Sequence, residues 1–281
     1  MTVAVYIMTV TVNMPLKKSL HEAVAMNIPQ ISPQQIELFI LILLRVSSIM
    51  IMIPIISNRQ VPLRIKGGLS IIVAFLVMPF VQPVSFPLEM PVLIVTMIGE
   101  VAIGIIIGLV GRLLFAGVQL AGQLVGFQMG FAIVNVVDPL SSMQVSIIAQ
   151  FQYLIAMLIF LAVNGHHIFL YAIAESFHAV PPLAFHFTGP LMDSLVGFST
   201  NIFIIAVKIG APVMAMLLFT SVSLGLVART VPQINVFIVG FPLKIAVGLI
   251  GIGLTLPIFA EILGFAFVQF DGQIKALLGL M

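Results

Sequence analysis

Seven apolar runs set the terms for any fold of this chain. They cover 36–56, 68–82, 92–120, 145–163, 165–180, 197–228 and 236–268, and short stretches rich in proline and polar residues separate them. A helix needs about 20 residues to cross roughly 30 Å of hydrocarbon, so most of these runs match a bilayer. The remainder cannot build a water-covered surface. Only 7% of the residues are charged, where an ordinary soluble domain carries about 25%. That deficit excludes a soluble enzyme, a nucleic-acid binder and a disordered linker. A net charge of +2 spread over 281 residues is no basis for binding nucleic acid. With no cysteine, disulfides, Fe–S clusters and thiolate metal sites are excluded as well. The chain reads as an all-α, polytopic membrane protein.

Residues 1–26 stand apart from the rest. A mildly apolar stretch from Thr2 to Pro15 precedes Lys17 and Lys18, the reverse of the order in a secretory signal, so no cleavable signal is expected. The segment reads as an extension from a start codon assigned too early, with Met26-Asn27-Ile28-Pro29 as the natural beginning. Peptides containing Thr2 in the native protein would refute this.

Loop charges suggest a topology. The 57–67 loop carries Arg59, Arg64 and Lys66 without an acid, and the 229–235 turn carries Arg229; both point to the cytoplasm by the positive-inside bias. The 83–91 loop, with Glu89 as its one charge, points outward. Runs 92–120 and 197–228 then both travel inward, which requires an odd number of crossings between them. Two runs, 145–163 and 165–180, are available. Either they form one broken crossing, or one of them, or the 122–138 stretch, folds back. Backbone that fails to span must be covered by protein, and such segments line cavities or seal pores.

Glycine is the densest local signal. Gly104 and Gly108 are one turn apart, and Gly122, Gly126 and Gly130 repeat at the same interval, so each set presents a flat stripe that lets another backbone approach. The second set continues through Phe127, Gln128, Met129 and Phe131 to a break at Asp138-Pro139. Large, soft and polar residues alternating with glycine suit a deformable seal better than a rigid seam. Methionine, 16 in all, supplies adaptable packing. Charges inside apolar runs are costly and mark function or pairing; here they are Arg45, Glu100, Arg112, Lys208, Lys244 and Glu261. Snorkelling suits Arg112, and pairing is expected for Glu100 and Lys244.

Catalytic and metal sites are not expected. The chain contains no HExxH, GxSxG or GxxxxGK[ST] motif. The adjacent pair His166-His167 projects to different helix faces without a third ligand in sequence, which suits a helix boundary better than a metal centre. No cofactor is implied.

Taken in order, a set of residues resembles the FliR family of flagellar biosynthetic proteins. It runs from Arg45 through Pro54 and Arg59-Gln60-Val61-Pro62-Leu63-Arg64 to Gly99-Glu100, Gly104 and Gly108. It continues with Gly122, Gly126-Phe127-Gln128-Met129-Gly130, Asp138-Pro139 and Asn164-Gly165-His166. Leu224 to Arg229, Pro232 to Phe237 and Gly240-Phe241-Pro242-Leu243-Lys244 complete it. The resemblance spans about 27 to 268.

That resemblance implies a type III secretion export-gate subunit in the bacterial inner membrane, at the flagellar basal body. Family members assemble with FliP and FliQ into a ring-like complex of tilted helical hairpins, near FlhA and FlhB, and pass unfolded flagellar proteins. A FliP-like part over 27–196 and a FliQ-like hairpin over 197–270 are implied. So is a loop closing the pore, which falls here on about 122–138, with Gly122, Gly126, Phe127, Gln128, Met129, Gly130, Phe131 and Asp138 as its residues. Gly104 and Gly108 remain packing glycines. Glu100, Lys208, Arg229 and Lys244 are the candidates for charges within the membrane or between subunits. From the residues alone a second reading stays open, a secondary transporter or ion channel with Glu100, Lys208 and Lys244 as coupling or selectivity groups.

Overall fold

The structure is a computed structural model that describes residues 32–58, 60–81, 89–131, 146–231, 233 and 235–281. The proposed extension 1–26, Arg59 and the stretch 132–138, with Asp138, lie outside the described residues. By its contacts the chain falls into two units, 1–37 and 38–281, and everything below concerns the second except for the first turn of α1.

The described residues form helices and no strand. In order they are α1 (Pro33–Met52), α2 (Pro54–Ser57), α3 (Leu63–Val77, closed by a 3-10 turn at Met78–Phe80), α4 (Met90–Met129), α5 (Ile147–Ala162), α6 (Gly165–Ala179), α7 (Gly189–Thr230) and α8 (Val236–Leu278). Among them α1, α3 with its 3-10 turn, α4, α7 and α8 are each long and apolar enough to cross a membrane. The pair α5–α6 passes the same test as a unit, bent by 66°, which is the form a broken crossing takes. A re-entrant loop takes the same form, and the loop charges ask for an odd number of crossings between α4 and α7.

Three helices outrun the apolar pattern. The hydropathy of 92–120 predicts an end near residue 120, yet α4 has 40 residues and continues to Met129. Likewise 197–228 extends to 42 residues in α7 and 236–268 to 43 in α8. At 1.5 Å per residue each reaches about 60 Å, twice the hydrocarbon thickness. Thr188 accepts a hydrogen bond from the Leu191 N–H at 3.3 Å, with Pro190 preset for the first turn of α7. Pro212, Pro242 and Pro257 stay inside helices. The run 36–56 is divided, in contrast, at Ile53 between α1 and α2.

The core is an aromatic knot. Phe115 of α4, Phe160 of α5, Phe169 of α6 and Phe267 and Phe270 of α8 are all buried. Ring centroids lie 5.2 Å apart for Phe160–Phe267, 5.6 Å for Phe115–Phe160 and 5.0 Å for Phe169–Phe270, in the edge-on and tilted arrangements that aromatic pairs prefer. Gly111 makes room for it: a Cβ there would collide with the Phe169 ring and come within 3.1 Å of Phe270. Helix α7 lies along α4 and against α8, so the last two helices form a hairpin beside the first long one.

Candidate functional site

Where α4 ends is decided by its glycines. The N–H of Phe131 donates to the Gly126 carbonyl and the N–H of Gly130 to that of Phe127, both at 3.1 Å, the two bonds of a Schellman cap. The cap needs a left-handed residue, and Gly130 supplies it at φ 95. In the sequence reading Gly130 belongs to a loop-like stopper; in the structure it is the stop of a long helix, and 122–129 are that helix's last two turns.

The two faces of these turns differ. Gly122, Val125, Gly126 and Met129 are buried, and Gln123, Leu124, Phe127 and Gln128 are exposed, Phe127 at 71%. On the buried face a Cβ at Gly122 would collide with the Ala149 backbone and come within 3.0 Å of Gln152 Oε1, and one at Gly126 would collide with Ser146 Oγ. Helix α5 therefore packs backbone to backbone on α4. The sequence reading expects a deformable element at Gly122 and Gly126; their buried face is a close seam with no side chain of its own to rearrange. Met129, fully buried, rests against Gly248 of α8, 2.7 Å from where a Cβ would stand. Together with Val125, Ile148, Val213, Leu217 and Ile252 it forms a small second core, with Phe131 packed on its edge. Gly248 is absent from the sequence reading; only its partner across the fold identifies it.

Gly104 and Gly108 face α1. A Cβ at Gly104 would lie 2.5 Å from Ser48 Cβ and 2.7 Å from the Arg45 carbonyl oxygen, and one at Gly108 would collide with Met52. This close approach brings together Arg45 and Glu100, both fully or almost fully buried (0% and 2% exposed). Arg45 Nε donates to Glu100 Oε2 at 2.5 Å and Nη2 to Oε1 at 2.9 Å. Its Nη1 donates to the carbonyls of Ser176 and Val180, at 2.7 and 2.8 Å, capping the end of α6. The guanidinium also lies 4.2 Å from the centre of the Phe177 ring. One arginine thus ties α1, α4 and α6, with four of its five guanidinium protons donated to acceptors.

The other charges are not brought together. Lys208, Arg229, Arg112 and Glu261 are exposed, and Lys244 is half-buried. None of the five has an ion-pair partner among the described residues, where the other pair is the exposed Lys275–Asp271. The transporter reading loses Glu100 as a coupling group, since both its oxygens are held by Arg45. The rings of His166 and His167 meet edge to face at 4.3 Å just past Asn164, which bends the α5–α6 pair with φ 56. Among the described residues no group of three metal-ligating His, Asp or Glu side chains forms.

Residues 36–270 match the family described as bacterial export proteins, family 1. The chain is similar to flagellar biosynthetic protein FliR of Bacillus subtilis, 38% identical over 216 residues covering 75% of this chain and 83% of that one. It is similar to the FliR of Escherichia coli at 30% identity over 218 residues, 78% and 84% of the two chains. The FliR of Aquifex aeolicus is 30% identical over 216 residues, 76% and 83%.

Proposed function

This chain belongs to the bacterial export proteins, family 1, and we propose that, as a membrane-embedded component of the flagellar export apparatus, it forms and seals the protein-conducting channel with FliP and FliQ. Its substrates on this reading are unfolded flagellar proteins, FlhA and FlhB are its further neighbours, and its membrane is the bacterial inner membrane. The chain is non-enzymatic and supplies shape and closure; energy comes from elsewhere in the apparatus. Residues 27–196 form the FliP-like part and 197–270 the FliQ-like hairpin.

The observation that carries the reading is the match over 36–270. What supports the seal is the asymmetry at the end of α4. One face is anchored in the chain through Gly122, Gly126 and Met129, and the other presents Phe127 and Gln128 outward, directly before the stretch that leads to Asp138. An anchored helix end that holds out a large apolar ring can close a conduit. Gly104 and Gly108 hold α4 on α1; Lys208, Arg229 and Lys244 are charges left for other subunits. Loss of the chain from a flagellated host abolishes secretion of flagellar subunits, and an affinity tag on it recovers FliP and FliQ from the membrane. Secretion that continues without the chain would overturn the proposal.

A further inference from the structure

Leu183, in the connection from α6 to α7, has φ 76. The Ala184 N–H donates to the Pro181 carbonyl at 3.1 Å, which closes a turn with Pro182 second and Leu183 third. In a type II turn the third place has φ of about +80° and is filled by glycine. A leucine there is strained, and such strain persists where the surroundings fix the chain on both sides.

Both sides are fixed. Before the turn, the Val180 carbonyl accepts from Arg45 Nη1 at 2.8 Å. After it, Phe185 packs on Gly99 of α4, 3.4 Å from where a Cβ would stand. The His186 N–H donates to the main-chain oxygen of Met281 at 2.8 Å, and Thr188 Oγ1 to the Leu280 carbonyl at 2.7 Å. Residues 181–188 are therefore a strap drawn from the Arg45 site to the residues that follow α8. Between the strap and α4 lies a pocket of about 210 Å³. Thr96, Gly99 and Glu100 are among the α4 residues that line it, and Leu183 and Phe185 line it from the strap. Glu100 borders this pocket and is still only 2% exposed.

We propose that the strap is a sprung lid. Leu280 and Met281 hold it down over the Arg45–Glu100 pair, and when they withdraw, Leu183 relaxes and water reaches the pair. Two of the ties beyond the turn end on these residues, so their displacement removes both hydrogen bonds and leaves Phe185 to keep the turn closed. Opening then runs downhill, because Leu183 returns to the negative φ that a leucine prefers. The position of the chain after α8 thus controls the burial of two charges on α1 and α4. The lid goes beyond the export reading and needs none of that reading's partners.

The test is hydrogen exchange over 181–188, with labelling of Glu100 by a hydrophobic carbodiimide, on the chain in its native membrane. Removal of Leu280 and Met281 is expected to speed exchange at least about tenfold and to make Glu100 reactive where the parent is not. Leu183→Gly and Leu183→Asn, both at ease at positive φ, are expected to slow exchange in the shortened chain by about tenfold. Unchanged exchange without Leu280 and Met281 overturns the proposal. So does fast exchange that neither replacement of Leu183 slows, or a strap that exchanges freely while Glu100 stays unreactive. If the shortened chain does not accumulate, the same two replacements in the full chain decide. Exchange slower than in the parent supports the spring, and equal or faster exchange overturns it.

Discussion

Arg45 and Glu100 stand 55 residues apart in the chain and meet through two hydrogen bonds where neither reaches solvent. The pair stands beside the Gly104 seam, so the close approach of α1 to α4 and the burial of two charges depend on each other. Removing one partner leaves the other charge buried and unpaired, at a cost of about 3–5 kcal/mol. Arg45→Met and Glu100→Leu are each expected to lower the melting temperature of the purified chain strongly, and the double replacement to recover most of the loss. Arg45→Lys does not substitute, since an ammonium cannot match the two-pronged geometry. Single variants that melt like the parent would show the pair to be incidental.

The seam between α4 and α5 makes an opposite forecast for two kinds of glycine. At Gly122 a methyl group collides with the Ala149 backbone, whereas at Gly253 it meets open space. Gly122→Ala should destabilise by about 1–3 kcal/mol through forced separation of the helices. Gly253→Ala should stabilise by about 0.5–1 kcal/mol, the helix-propensity difference. Thermal denaturation of the two variants side by side checks the sign of each.

Asn164 sets the 66° bend by adopting φ 56. Glycine takes that conformation without strain, and a β-branched residue does not. Asn164→Gly should keep the fold, and Asn164→Val should cost about 1–2 kcal/mol and loosen α6 from Arg45. Hydrogen exchange at the amides of Val180 and its neighbours reads the loosening; equal protection in both variants would contradict it.

Much of this arrangement is legible in the residues. Apolar runs and scarce charge give the helical membrane class, and the glycine spacings and isolated charges point to close helix approaches. The lengths of α4, α7 and α8 are not legible, because hydropathy measures fit to a bilayer and these helices continue past it. Nor does sequence spacing reveal that Arg45 meets Glu100 or that Met129 meets Gly248, since those distances are set by how helices cross. The role of Gly130 is visible only in the two hydrogen bonds that end α4. An i, i+4, i+8 glycine row looks alike whether its final member continues a stripe or caps a helix.

On the proposed function, the end of α4 and the residues after it close a shared conduit. Membrane permeability to small ions in cells carrying the assembled apparatus tests it most directly, comparing the parent chain with Phe127→Ala and with a chain lacking 132–138. Phe127 is exposed, outside the buried glycine contacts of α4, and 132–138 follow the cap in sequence. The account predicts assembled complexes in normal amount and a clear rise in ion leakage, larger for the deletion. Normal assembly with permeability equal to that of the parent would contradict it.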